Sequence, residues 1–232
     1  MNLYDTKLDR NCITCPQRCD IFKTLSESEL ELVNKNRSEA HFKTGELIIK
    51  QGTPSNMIIF VISGLTKIFL EGMDGKDLIL SIIKPPQFIS GPELYYNKTY
   101  SYSATALTNA ECCYVNESIF KQLISENRLF SEAFIQEFCR RSINTLSLLV
   151  NSTQKKMHGR IANGLLYLST IFENDSFDMI LSKKEFGDLT SMTRESAIRT
   201  LHQFKEEGLI DIHGSNIVIK DKEKLQRISH TG

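Results

Sequence analysis

From Phe42 to about Val115 the chain alternates short apolar runs with turn residues. The runs are LIIK at 47–50, MIIFVI at 57–62, LTKIFL at 65–70 and LILSII at 78–83. Gly45, Gly52-Thr53-Pro54, Gly64, the stretch from Gly72 to Gly75 and Lys84-Pro85-Pro86 punctuate them. Short strands this closely spaced, with Gly and Pro between them, predict a β-barrel or sandwich.

The period then changes. From Asn116 to about Met157 there is no glycine or proline, and apolar residues recur at helical spacing. Ile135, Cys139, Ile143, Leu146, Val150, Thr153 and Met157 are separated by 4, 4, 3, 4, 3 and 4 residues. After the first step this is a heptad seam, the pattern of two helices packed along their length. A second stripe, Phe130, Phe134 and Phe138, lies on a neighbouring face. Two stripes on one long segment predict that one covers the chain's own β domain and the other meets a second copy, with Ile143, Leu146 and Val150 at the interface. A single buried helix using both stripes internally is the alternative.

The helical pattern continues from Gly159 to Ile171, and residues 173–177 read as a polar loop. Ser182 and Glu185 then form a capping box that opens a helix with Phe186 and Leu189 inside. Gly187 is small enough for a close helix crossing. Thr193 suits the N-cap of a second helix, with Ala197, Leu201 and Phe204 on its buried side and Gly208 at its end. Ile212 and Ile217 to Ile219 flank His213-Gly214-Ser215-Asn216 as a β-hairpin. Two short helices, a tight turn and a hairpin make a winged helix-turn-helix. Arg194, Glu195 and Arg199 fall at the exposed start of the second helix, the part of such motifs that enters the major groove. Arginine is a bidentate donor to guanine, and glutamate accepts from cytosine. The competing reading is a solvated face with a Glu195–Arg199 pair. Lys183 and Lys184 are placed to meet phosphates.

Charge adds little to this picture. The 232 residues carry 28 basic and 28 acidic side chains, and from Lys155 onward twelve basic face eleven acidic. DNA binding needs local positive charge, so here the pattern has to carry the argument. No apolar run approaches membrane-spanning length and no signal peptide opens the chain, so a cytoplasmic protein without a membrane partner is expected. The sequence shows no paired catalytic carboxylates, no phosphate-cradling glycine loop and no nucleophile with a partner histidine, so an enzyme is not expected.

FKTGELIIKQGTPSNMIIFVISGLTKIF, HGRIA at 158–162 and TRESAIRTL together resemble the Crp/Fnr family of bacterial transcription regulators, along nearly the whole chain. The resemblance implies an α+β fold. Its parts would be an N-terminal double-stranded β-helix (a jelly-roll-like β-roll of the cyclic-nucleotide-binding type), a long dimerisation helix and a C-terminal winged helix-turn-helix. The division reads as a cysteine-containing segment at 1–24, the β-roll sensor at 25–127, the dimer helix at 128–158 and the DNA-binding domain at 159–232. It also implies the partners: a roughly palindromic site on double-stranded DNA, a second copy of the chain, and RNA polymerase. Arg194, Glu195 and Arg199 correspond to the family's base-reading residues, with Thr193 ahead of them. Ser191 stands where the turn between the helices often has glycine, and serine reaches such a backbone at some cost. A cyclic-nucleotide-type interaction module that does not bind DNA is the alternative function.

What the roll senses stays open between three readings. For a cyclic nucleotide the pocket would be built from Gly91, Glu93, Tyr102 and Ser103. Pro92 interrupts the Gly-Glu pair and removes an amide donor, and Tyr102 stands where a phosphate-pairing arginine is expected, so cAMP is disfavoured. The second reading is a metal centre. Cys12, Cys15 and Cys19 give three clustered thiols, and the resemblance to the oxygen-sensing branch of the family supplies Cys113 as a fourth, the set for a [4Fe-4S] cluster. The last gap is shorter than in that branch. Zinc fits the same ligands, and ordinary cytosolic thiols are the bland alternative. Cys112, adjacent on a strand, must point the other way. The third reading is haem, another small ligand, or none; no lone histidine argues for an axial ligand.

Overall fold

In the roll, strands form at all four apolar runs and at four further places. In the computed structural model, which describes residues 11–232 apart from the side chains of Asp74 and Pro92, a 3₁₀ turn over Asp20–Thr24 leads into helix α1 (Glu27–Lys35). The strands β1 (Arg37–Phe42), β2 (Leu47–Ile49), β3 (Met57–Ser63), β4 (Thr66–Leu70), β5 (Leu78–Ile83), β6 (Gln87–Phe88), β7 (Ser103–Ala106) and β8 (Ala110–Asn116) follow. They make two four-stranded sheets, in the orders β1-β8-β3-β6 and β2-β7-β4-β5. Helices α2 (Glu117–Glu126), α3 (Arg128–Gln154) and α4 (Met157–Phe172) come next. After them stand β9 (Ser176–Asp178), α5 (Lys183–Thr190), α6 (Arg194–Glu206), β10 (Ile210–His213), β11 (Asn216–Ile219) and α7 (Lys222–Thr231). This is the α+β architecture that the pattern predicts, with the β-roll ahead of the long helix and the winged motif behind it.

The described chain divides into two compact units: the residues up to Glu71 with Ser81–Ser142, and Gly72–Leu80 with Ile143–Gly232. An aromatic cluster centres the first. Phe60 on β3 lies 4.6 Å from Phe22 and 6.0 Å from Phe88, ring to ring, and Phe120 on α2 packs edge-on to Phe130 at 5.1 Å and to Phe134 at 5.4 Å. Aromatic rings prefer such tilted and edge-to-face contacts at these separations. Phe130 and Phe134, the first two members of the phenylalanine stripe, therefore fasten the start of α3 to the roll, while Phe138 is 42% exposed.

The helical stretch from Asn116 is not one helix. Asn127 ends α2 and opens α3: its Oδ1 accepts from the Phe130 amide at 3.0 Å, while its Nδ2 donates to the Thr24 carbonyl and to Glu29. A side chain that caps a new helix interrupts the old one without glycine or proline, which is why periodicity missed the break. A second break at Lys155–Lys156 puts Met157, the last residue of the heptad seam, on α4.

In the second unit Ile161, Leu165 and Leu168 of α4, Phe186 of α5, Phe204 of α6 and Leu225 of α7 are buried. Two sequence expectations are corrected here. Residues 173–177 are not wholly loop, because Phe177 is buried and pairs opposite Ile217, adding β9 to the wing sheet. On α6 the inner position belongs to Thr200 rather than Leu201, which is only half-buried; the Thr200 hydroxyl donates to the Ser196 carbonyl and so loses nothing by burial. Helix α7, capped by Asp221, has no counterpart in the sequence reading.

Candidate functional site

The helix-turn-helix is held by small residues at close approaches. A Cβ on Gly187 of α5 would stand 2.8 Å from the Met192 carbonyl oxygen, and one on Gly164 of α4 would meet Thr190 at 2.7 Å. The capping box at Ser182 and Glu185 is formed in both directions. Ser191 ends α5 in the left-handed region at φ 54°, and Arg160 of the HGRIA segment donates to its carbonyl at 3.0 Å. That bond offsets part of the strain of a non-glycine residue there. Thr193 then caps α6, accepting from the Ser196 amide at 3.3 Å. Beyond it Arg194, Glu195 and Arg199 are all exposed. The two lysines differ. Lys183 is exposed with no ion-pair partner among the described residues, whereas Lys184 is 2.9 Å from Asp188 and would have to give up that contact to reach a phosphate.

In the roll, the polar groups of the residues named for a nucleotide are engaged with the chain itself. The Glu93 carboxylate is buried and accepts from the Gly91 amide at 2.9 Å and the Ser101 amide at 3.5 Å. Tyr102 donates to the Ile89 carbonyl at 2.8 Å, and burial, reinforced by Glu93, pushes its phenol well above the usual range. Ser103 donates to Glu71 and accepts from the Gln51 amide at 2.8 Å. A phosphate entering here would meet a carboxylate, a phenol and a committed hydroxyl. These side chains do not fit an anionic nucleotide.

The cysteines behave differently. Cys12, Cys15, Cys19 and Cys113 line one small cavity of about 30 Å³. Ile21 and Phe22, directly after Cys19, are buried in the aromatic core and pin the segment to the roll. Cys113 lies opposite both Glu39 on β1 and Phe60 on β3, which also line the cavity, while Cys112 lies on the other strand face and is fully buried away from it. Burial raises the Cys12 and Cys19 thiols and pushes Cys113 up to about 12, although Arg37 opposes the rise at Cys113. Two residues of the cavity lining also carry buried polar atoms without a partner. Glu39 Oε2 and Arg18 Nε are buried and have no hydrogen-bond partner among the described residues. A buried carboxylate oxygen and guanidinium nitrogen without partners among the described residues, in residues beside four thiols, are compatible with an occupant that bonds them. Among the described residues no three His, Cys, Asp or Glu side chains stand close enough to hold a single metal ion. Four thiols at one cavity are the ligand number of a [4Fe-4S] cluster and equally of a tetrahedral zinc.

Two family profiles match the chain: the cyclic nucleotide-binding domain over residues 39–127 and the Crp-like helix-turn-helix domain over residues 159–228. The chain belongs to the Crp/Fnr family of transcription regulators. Among its relatives is a protein of Mycobacterium tuberculosis named as a CRP-like cAMP-activated global transcriptional regulator, 24% identical over 215 residues that span 90% of this chain and 96% of that one. FixK2 from Bradyrhizobium japonicum shares the fold with a TM-score of 0.76 at 16% identity, over 84% of this chain and 98% of that one. A CooA mutant from Carboxydothermus hydrogenoformans does so with a TM-score of 0.73 at 18% identity, over 98% of both chains. Crp/Fnr regulators bind DNA and are not enzymes.

Set against this regulator, the sequence missed the supports of each site. Arg160, which steadies the turn, sits inside HGRIA, where only the motif as a whole drew notice. Arg37, Glu39 and Arg18 give no pattern at all in one dimension. The exposed apolar residues of α3 were legible: Ile143 is 62% exposed and Leu146 63% exposed in the single chain, with Leu149 and Val150 beside them. No described helix is long and apolar enough to cross a membrane.

Proposed function

We propose that this DNA-binding transcription regulator acts as a homodimer whose β-roll reports a redox or oxygen signal through a cluster bound by Cys12, Cys15, Cys19 and Cys113. The reading rests above all on one observation: these four thiols, drawn from two distant segments, line one cavity, whereas Tyr102 and Glu93 are hydrogen-bonded to the chain's own backbone. A [4Fe-4S] cluster held there would supply a centre whose integrity depends on oxygen and redox state. The chain's own part is to bring the segment after residue 11 against β8 and to exclude water with Phe22 and Phe60. Asn127 ties Thr24 and Glu29, close behind the cysteines, to the first turn of α3, so a change at the cavity has a short route to the dimer helix.

Anaerobic reconstitution of wild type, Cys113→Ser and Cys112→Ser tests this. Iron and sulfide should enter wild type and Cys112→Ser and be absent from Cys113→Ser. Equal iron in all three removes Cys113 from the site, and none in any rejects the cluster.

On the DNA side, Arg194, Glu195 and Arg199 read bases in each half of a roughly palindromic site, with half-sites about one helical turn apart. Their exposure on the first two turns of α6 supports this. Arg199→Ala is expected to weaken specific binding by about 1–3 kcal/mol and relax preference at one base pair. Lys183→Ala should weaken all sequences alike and flatten the salt dependence. Fluorescence anisotropy on specific and scrambled duplexes separates the two; an equal loss on both for Arg199→Ala would make it a backbone contact. Contact with RNA polymerase at the promoter is the expected output of the bound dimer.

A further inference from the structure

We infer that Arg37 is the positioning residue that clamps the cysteine loop onto the roll and assembles the four-thiol cavity, with Asn34 and Glu39 as its partners. The inference rests on the cluster reading for its purpose but not for its geometry. Arg37 opens β1, and its guanidinium reaches three groups. Nη1 pairs with the Glu39 carboxylate and lies 3.9 Å from Cys113 Sγ, and Nε donates to Asn34 Oδ1 at 3.0 Å. The same Asn34 oxygen accepts from the Cys12 amide at 3.2 Å. One side chain thus connects the sheet cysteine to the loop that carries the other three.

Both partners of the pair are nearly inaccessible, with side chains 10% exposed for Arg37 and 7% for Glu39. A buried ion pair is a weak source of stability, since desolvation opposes the Coulomb gain. Its use here lies in where it holds the groups around it. The planar guanidinium can satisfy several acceptors at once in fixed directions, which a lysine cannot. It also sets a permanent positive charge next to sulfurs that would be thiolates around a metal, and hydrogen bonds and charge near ligating sulfurs tune such centres. Glu39 fixes the fork with Oε1 and leaves Oε2 unpartnered.

The test uses the full chain, iron-free and after anaerobic reconstitution with ferrous iron and sulfide. Removing Arg37 alone would strand Glu39 in the interior, so the charge-balanced double variant Arg37→Leu/Glu39→Leu stands beside Arg37→Lys. In the iron-free protein, amide exchange at residues 11–19 should quicken at least tenfold in both, with Cys12 most affected, while β3 and β8 stay protected. After reconstitution, iron per chain should fall to less than half the wild-type value. Unchanged exchange at Cys12 in the double variant overturns the clamp. So does wild-type iron content once the loop has been freed, because the clamp would then not assemble the site. If wild type itself takes up no iron, the cluster reading fails, and the clamp stands or falls on the exchange data alone.

Discussion

Leu146→Glu should convert the protein to monomers at micromolar concentration. In the single chain this side chain is 63% exposed, so the substitution removes nothing from the monomer's core and its effect is confined to association. Across a two-fold seam each glutamate would be buried opposite apolar neighbours and its own copy. An unpaired charge in such a place costs about 3–5 kcal/mol. Because about 1.4 kcal/mol is a tenfold change in affinity, the dissociation constant should rise by two to three orders of magnitude or more. Sedimentation velocity reads the result directly, and circular dichroism checks that the fold is kept. A Leu146→Glu protein that still sediments as a dimer would place the seam elsewhere on the helix.

Phe130→Ala should be strongly destabilising for the first unit. Its ring is fully buried, packed edge-on to Phe120 and stacked on Phe22 at 6.0 Å. Phenylalanine-to-alanine changes at such positions cost about 3–5 kcal/mol through lost transfer energy and the cavity left behind. Phe138→Ala, two turns later in the same stripe, should cost little by comparison, because Phe138 is 42% exposed in the monomer. Urea unfolding at a protein concentration below the dimer dissociation constant separates them. Equal losses would mean that the stripe acts as one face throughout, and a Phe130→Ala loss under about 1 kcal/mol would contradict the packing described here.

The contrast along that one helix shows what the sequence could convey. Periodicity marks which residues share a face, so both stripes of α3 were legible; it does not say what covers a face at each point, so the switch from buried Phe134 to exposed Phe138 was not. The four apolar runs were read as strands because their branched side chains and bounding glycines are local signals. Strand β1, RSEAHF, was missed because it carries no apolar alternation, and its pairing with β8 is set by a partner some seventy residues away. The capping box at Ser182 and Glu185, the crossing at Gly187 and the left-handed Ser191 follow from neighbouring residues, and the structure has them. The Arg37–Asn34–Cys12 contacts join residues whose types are unremarkable singly, and only the folded chain brings them together.

Tyr102 has a meaning beyond the exclusion of a nucleotide. A hydroxyl that bonds the Ile89 carbonyl of its own chain is in effect a tethered partner, held at a fixed effective concentration by the backbone. A diffusible effector carries information because its occupancy follows its abundance. A tethered partner is present in every molecule at all times, so this hydrogen bond carries no report of the composition of the cell. The part of the roll with unfinished hydrogen bonding lies elsewhere, at Glu39 and Arg18 beside the four cysteines.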